Sequence, residues 1–125
     1  MHVRYRCITN NPMMQGYNKL KIEYFPVSVI ELFQEVQREL EKGYRLLSHP
    51  LTSSLRPDVS PYKSILLSIN SGDCDLEGIF LMEQALTYAR SLPWAGKLPV
   101  WSDEAKKDFQ FVDRDIIEYA IERNA

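Results

Sequence analysis

Cysteine, histidine and glycine are scarce in this sequence, and their scarcity argues against several classes of functional site. Cys7 and Cys74 are the only cysteines, and they lie far apart without a C-x-x-C spacing. This arrangement indicates neither a disulfide framework nor a zinc knuckle, and we expect two free, buried thiols. The two histidines form no His-Glu-x-x-His motif, and the five glycines match neither G-x-G-x-x-G nor G-x-x-x-x-G-K-[ST]. We therefore expect no metal site, no nucleotide-binding fingerprint and no bound cofactor.

A basic excess and a long apolar run are also missing. The sequence has 15 Lys and Arg residues against 17 Asp and Glu residues, which gives a net charge of −2. Such near-neutrality disfavours general binding to nucleic acid. No stretch approaches the roughly 20 apolar residues of a membrane helix, and the N-terminus lacks the apolar run of a signal peptide. We therefore expect a cytoplasmic protein with neither a nucleic-acid nor a membrane partner.

The remaining residues are typical of one globular domain that covers residues 1–125, with 45% hydrophobic and 26% charged residues. Segments rich in β-forming residues predict strands at residues 3–9, 20–25, 44–48 and 62–69. Apolar residues at helical spacing predict a helix from Ser28, which forms a capping box, to the C-cap Gly43, a helix at 76–92 after Asp73 or Asp75, and a helix after Ser102. Residues 109–112 could instead form a short strand, with Asp113 capping a shorter helix.

The alternation of strands and helices predicts an α/β fold. We expect a small sandwich of two or three layers, with a mainly parallel four-stranded sheet flanked by about three helices. In such sheets ligands bind beyond the carboxyl ends of the strands. These ends are Thr9-Asn10-Asn11 after the first strand and His49 after the third, so we expect the two segments to converge.

The long segment between the third and fourth strands, His49 to Pro61, is the most informative part of the sequence. Its hydroxyl groups and nearby cations predict a pocket for an anion or a polar metabolite. The alternative is an ordered loop whose hydroxyls bond to their own backbone. The candidate ligand-binding residues are Thr9, Asn10, Asn11, His49, Ser53, Ser54, Arg56, Tyr62 and Lys63.

Catalysis is a weaker interpretation of the same segment. Ser53 or Ser54, His49 and Asp58 are the residue types of a nucleophilic triad, but the Gly-x-Ser-x-Gly elbow is missing. We therefore assign no catalytic residue. A small enzyme that uses His49 as acid or base stays a second alternative.

Two tryptophans bracket the segment PWAGKLPVW and offer a different kind of function. Trp94 and Trp101 either pack within the monomer, which is the default, or form a contact with another protein. The second case predicts a protein-interaction or assembly module for a larger enzyme complex. A homodimer is a further alternative.

Three segments give the chain a family resemblance. Residues 43–68, GYRLLSHPLTSSLRPDVSPYKSILLS, together with ITNNP at 8–12 and DFQFVD at 108–113, resemble the GrdX-like family. The resemblance implies a setting among glycine-reductase genes of anaerobic bacteria that ferment amino acids, with a protein partner in an amino-acid reductase system. It implies no catalytic residues, since the family has no established activity. The function that we favour is a non-catalytic accessory or regulatory protein that binds a small anionic metabolite.

Overall fold

Three strands and three α-helices form the described parts of the computed structural model, which are residues 4–50, 60–92 and 100–123. The strands are β1 (Tyr5–Thr9), β2 (Lys21–Tyr24) and β3 (Ser64–Ser68). The helices are α1 (Val29–Glu41), α2 (Leu76–Ser91) and α3 (Asp103–Arg123), and a 3₁₀ helix (Pro12–Gly16) follows β1. The predicted α/β class is confirmed.

The sheet is mixed and has the strand order β2-β1-β3. β1 pairs in parallel with β2, with Cys7 opposite Ile22, and antiparallel with β3, with Cys7 opposite Leu66. The expectation of a mainly parallel four-stranded sheet is therefore wrong. The apolar run in β3 indicated burial on both faces, which is typical of parallel sheets, but it contains no information on strand direction.

The predicted third strand, residues 44–48, contributes only an isolated antiparallel bridge between Leu46 and Leu67. Two backbone hydrogen bonds do join the segment to β3, from Leu47 N to Leu66 O and from Ser68 N to Arg45 O. Side chains accept from three further backbone N–H groups of the segment and of β3. Those of Arg45, Leu46 and Leu66 donate to side-chain oxygens of Ser68, Asp75 and Ser48 respectively. Hydrogen bonds to polar side chains thus stand in place of some of the backbone hydrogen bonds that a full strand would form with β3.

Apolar side chains cover both faces of the sheet, which makes the fold three-layered. On one face Ile8, Ile65 and Leu67 pack with α1 and α2. On the other face Cys7 and Leu66 pack with residues of the 3₁₀ helix and α3. The alternation of side chains along each strand produces this division. The expectation that both thiols are buried holds for Cys7 but is wrong for Cys74, which is exposed in the turn before α2.

The helix boundaries follow local signals in the sequence. Ser28 and Glu31 form the predicted capping box of α1, and Asp75 caps α2 by accepting from Gly78 N at 3.0 Å. Ser102 Oγ accepts from Ala105 N at 3.1 Å just before α3. Residues 109–112 lie inside α3, so the alternative of a short strand there is wrong. Among the helices of the described ranges, none combines the length and apolar composition needed to cross a membrane.

Gly43 ends α1 in a left-handed conformation, with φ at 99°. Its N–H donates to Leu40 O and the next N–H donates to Glu39 O, as in a Schellman motif. A Cβ at this position would lie 2.4 Å from Gly72 O. We expect Gly43→Ala to lower the free energy of unfolding by about 2 kcal/mol, through left-handed strain and displacement of this carbonyl.

Urea denaturation of matched variants tests this expectation. Gly16→Ala is the control, because a Cβ there has no atom within 4 Å. The control should unfold within about 0.5 kcal/mol of the parent chain. Equal midpoints for the two variants would contradict the assigned role of Gly43.

Candidate functional site

A buried polar network joins the end of β1 to the start of β3 and to α3. The network consists of Thr9, Asn11, Ser64 and Asp113, each at most 7% exposed. The Thr9 and Ser64 hydroxyl oxygens lie 2.7 Å apart, and Ser64 Oγ donates to Asp113 Oδ2 at 2.5 Å. Asn11 Nδ2 donates to the same carboxylate oxygen at 3.0 Å, and Asn11 N donates to Thr9 Oγ1 at 2.9 Å. The network therefore holds α3 at one fixed position against the sheet.

Asn10 connects the same strand end to the start of β3. Its Nδ2 donates to Val27 O at 2.9 Å and to Pro61 O at 3.0 Å, while its Oδ1 accepts from Lys63 N at 2.8 Å. The side chain thus bonds to three backbone groups in two separate segments. This arrangement gives Asn10 a structural role in setting the path of residues 61–63.

Asp113 is an acid on the buried face of α3. Burial raises the pKa of its carboxyl group above the ordinary value, whereas the hydrogen bonds from Ser64 and Asn11 and the charge of Lys63 act in the opposite direction. Because Ser64 and Asn11 both donate to Asp113, its ionised carboxylate accepts these hydrogen bonds better than the neutral acid would. A buried carboxylate held in this way also sets the electrostatic potential of the space beside it.

Lys63 is a buried cation next to this carboxylate. It is 6% exposed, and burial lowers the pKa of its ammonium group, while Asp113 acts to raise it. Within the described parts of the chain, this ammonium has neither a hydrogen-bond acceptor nor an ion-pair partner. A buried charge without a partner is costly, so Lys63 is the group in this region with most to gain from an anion.

A cleft of about 290 Å³ opens beside Lys63 and Asp113. Its polar side is formed by Ser48, Ser60, Lys63, Ser64 and Asp113, and its rim by His49, Tyr119 and Arg123. The rest of the lining is an apolar wall, formed by Leu47, Pro50, Phe109, Val112, Ile116, Ile117 and Ala120. A mainly apolar cleft with a few convergent polar groups is typical of a site for a small molecule. In the described ranges, no three His, Cys, Asp or Glu side chains are grouped to hold a metal ion.

The structure divides the predicted ligand-binding residues into three sets. His49 and Lys63 line the cleft, and His49 is exposed. Thr9, Asn10 and Asn11 support the cleft from behind through the bonds described above, and do not line it. Tyr62 also lies outside the lining, where its hydroxyl accepts from Gln110 Nε2 at 3.1 Å. The remaining three, Ser53, Ser54 and Arg56, lie outside the described residues and stay predictions.

The structure describes one of the two tryptophans that the sequence analysis singled out. Trp101 packs edge to face against Phe109, with ring centroids 4.9 Å apart, and Phe109 lines the cleft. Trp101 therefore packs within the chain, the default of the two alternatives. Trp94 lies outside the described residues, and a role of either residue in a protein interface stays a prediction.

The sequence reasoning missed Asp113 and the apolar wall as parts of the site. Phe109, Val112, Ile116 and Ala120 have the spacing of one helix face, and the sequence alone suggests Asp113 only as a helix cap. The signal was nevertheless present, because Asp113 lies four residues after Phe109 and four before Ile117. An acid in the middle of an apolar helix face marks a buried polar site.

Comparison with known proteins bears on the family of the chain. No curated protein and no solved structure matches it. The family model for GrdX-like protein matches residues 6–122. This match runs from the second residue of β1 to the last turn of α3, and it includes every described cleft residue except Arg123. The chain therefore belongs to the GrdX-like protein family.

Proposed function

We propose that the chain is a non-catalytic accessory or regulatory protein that binds a small anionic metabolite in the cleft. The observation that supports this proposal is the buried side chain of Lys63, which lines the cleft and whose ammonium forms no hydrogen bond or ion pair with another described residue. The proposal includes the setting that the family resemblance implies, the reduction of glycine in anaerobic metabolism.

The surroundings of Lys63 favour an external anion over an internal partner. Asp113 is the nearest candidate, but its Oδ2 already accepts from Ser64 and Asn11, and it forms no ion pair with Lys63. A carboxylate or phosphate that entered the cleft would offset the desolvation of the ammonium. Arg123 at the rim adds a second positive charge that attracts anions.

Replacement of Lys63 by methionine tests the proposal. A thermal-shift screen with amino acids, acyl phosphates, phosphate and nucleotides should find anions that raise the melting temperature of the parent chain. We expect Lys63→Met to weaken the binding of these anions by about 10- to 100-fold in titration calorimetry, because a charge-assisted hydrogen bond is lost. Lys107→Met, an exposed change elsewhere on α3, is the matched control and should bind as the parent does.

The stability of the variant separates lost binding from lost folding. Since burial lowers the pKa of Lys63, the unfolded chain holds the proton more tightly, and the free energy of unfolding rises as pH increases toward 10.5. Lys63→Met removes this cost at neutral pH, so the variant should be at least as stable as the parent. Unchanged binding by a folded Lys63→Met protein would overturn the proposal, as would a screen in which no anion binds.

A further inference from the structure

The cleft combines one charged end with an extended apolar surface. Lys63 and Asp113 lie at the charged end, while Val112, Ile116 and Ala120 follow one another along the face of α3 that lines the cleft. The spacing of 112, 116 and 120 is four residues, which places them on neighbouring turns. An ion such as phosphate would contact the charged end and leave this apolar surface facing water.

The charges at the inner end also limit the charge of the ligand. Among the described residues they are one ammonium, Lys63, and one carboxyl group, Asp113, so Lys63 is the described cation there that can match a single negative charge on the ligand. A second negative charge would be repelled by the ionised form of Asp113. The next cation of the described lining, Arg123, lies ten residues after Asp113 on α3, which is a rise of about 15 Å along the helix axis.

The size of the cleft limits the ligand as well. A volume of about 290 Å³ is close to the lower limit for small-molecule sites. Since a water molecule occupies about 30 Å³ in the liquid, this space holds on the order of ten non-hydrogen atoms. A carboxylate with a body of four to seven carbon atoms fits this number, whereas a nucleotide is too large.

We propose that the cleft binds a small monocarboxylate with an apolar body, its carboxylate on Lys63 and its body against the α3 wall. This inference rests on the proposed function and names the class of its ligand. Phosphates and dicarboxylates of similar length are disfavoured, because each brings a second negative charge to a site that matches only one.

Titration calorimetry on the parent chain with a matched ligand series tests this inference. The probes are acetate, hexanoate, hexanamide, adipate and inorganic phosphate, at one pH and one ionic strength. Each buried methylene contributes about fourfold in affinity, and we expect hexanoate to bind at least tenfold more tightly than acetate. Hexanamide lacks the charge and should bind at least tenfold more weakly than hexanoate, and adipate and phosphate should also be weaker.

Two variants test where the apolar body of the ligand lies in the cleft. Ile116→Ala removes part of the wall and should reduce the advantage of hexanoate over acetate several-fold, while acetate binding is unchanged. Phe111→Ala, on the exposed side of α3 at 54% exposure, should retain the full advantage. Equal sensitivity of acetate and hexanoate to Ile116→Ala would overturn the assigned position of the body.

The outcomes separate this inference from the function on which it rests. If acetate and phosphate bind in a Lys63-dependent manner and hexanoate gains nothing, the anion site stands and the ligand class is overturned. If hexanamide or adipate binds as tightly as hexanoate, the inference that the site matches a single negative charge is wrong. If the parent chain binds none of the anions, the proposed function and the inference fall together.

Discussion

Arg6→Met is expected to lower the free energy of unfolding by about 3 kcal/mol. Arg6 is 5% exposed and bonds two carboxylates from different elements. Its Nε and Nη2 donate to Glu23 at 2.7 and 2.8 Å, and Nη2 also donates to Glu39 at 2.7 Å. Its guanidinium lies 4.4 Å from the ring centroid of Tyr44. Methionine keeps the apolar stem, so the expected loss arises from two half-buried carboxylates without their cation.

Chemical denaturation at pH 7 measures this effect, and Arg38→Met is the matched control. Arg38 pairs with Glu35 on the exposed surface of α1, where its side chain is 59% exposed. Such pairs contribute little, and the control should change stability by less than about 0.5 kcal/mol. Similar losses of stability in the two variants would show that the buried ion pairs of Arg6 stabilise the fold no more than the exposed pair of Arg38 does.

The effect of Arg6→Met should depend on pH in a defined direction. Burial acts to raise the pKa of Glu39, but hydrogen bonds from Lys42 and Arg6 bring it below its ordinary value of 4.5. A depressed carboxyl pKa contributes stability that is present above the unfolded-state value and is lost as pH falls through the folded-state value. The difference between the parent chain and Arg6→Met should therefore shrink below pH 4.5.

Asn11→Ala is expected to have an effect of similar size, about 3 kcal/mol, because it removes three hydrogen bonds made by a fully buried side chain. Asn11 is 0% exposed. Its Nδ2 donates to Gln110 O and Asp113 Oδ2, both at 3.0 Å, and its Oδ1 accepts from Met13 N at 3.0 Å. Thermal and urea unfolding measure the loss.

Two further variants test whether the loss of stability in Asn11→Ala arises from the hydrogen bonds of Asn11. Asn18→Ala lies in an exposed turn and should change stability by less than about 0.5 kcal/mol. Asn11→Asp preserves the shape of the side chain but adds a charge beside Asp113, and we expect it to destabilise at least as strongly as alanine at pH 7. A mild effect of Asn11→Asp would show that shape, rather than hydrogen bonding, is what this position requires.

The helices could be predicted from the sequence because their signals are local. The capping box at Ser28 and Glu31 and the left-handed Gly43 lie within a few residues of the boundaries of α1. The sheet could not be predicted, because strand direction depends on contacts between distant segments. The failure of residues 44–48 to form a strand depends on Asp75 and Ser68, which lie more than 20 residues away along the chain.

The candidate site, like the fold, could be predicted from the sequence only in part. His49 follows the carboxyl end of a predicted strand, where ligands bind in α/β folds, and Lys63 is predicted as a cation of the loop that begins at His49; both line the cleft. Thr9, Asn10 and Asn11 have the same signature, but their side chains bond within the fold instead. A polar side chain at a strand end can serve a ligand or the fold, and only its partners in three dimensions distinguish the two.

The sheet separates the two apolar clusters, and this separation divides the chain into two regions that can be altered independently. Ile8, Ile65 and Leu67 face α1 and α2, whereas the cleft lies on the opposite side, against α3. We expect substitutions that repack the α1 and α2 layer to change stability while the residues that line the cleft stay the same. A library at positions 112, 116 and 120 would therefore explore new ligands on a scaffold whose larger core is unchanged.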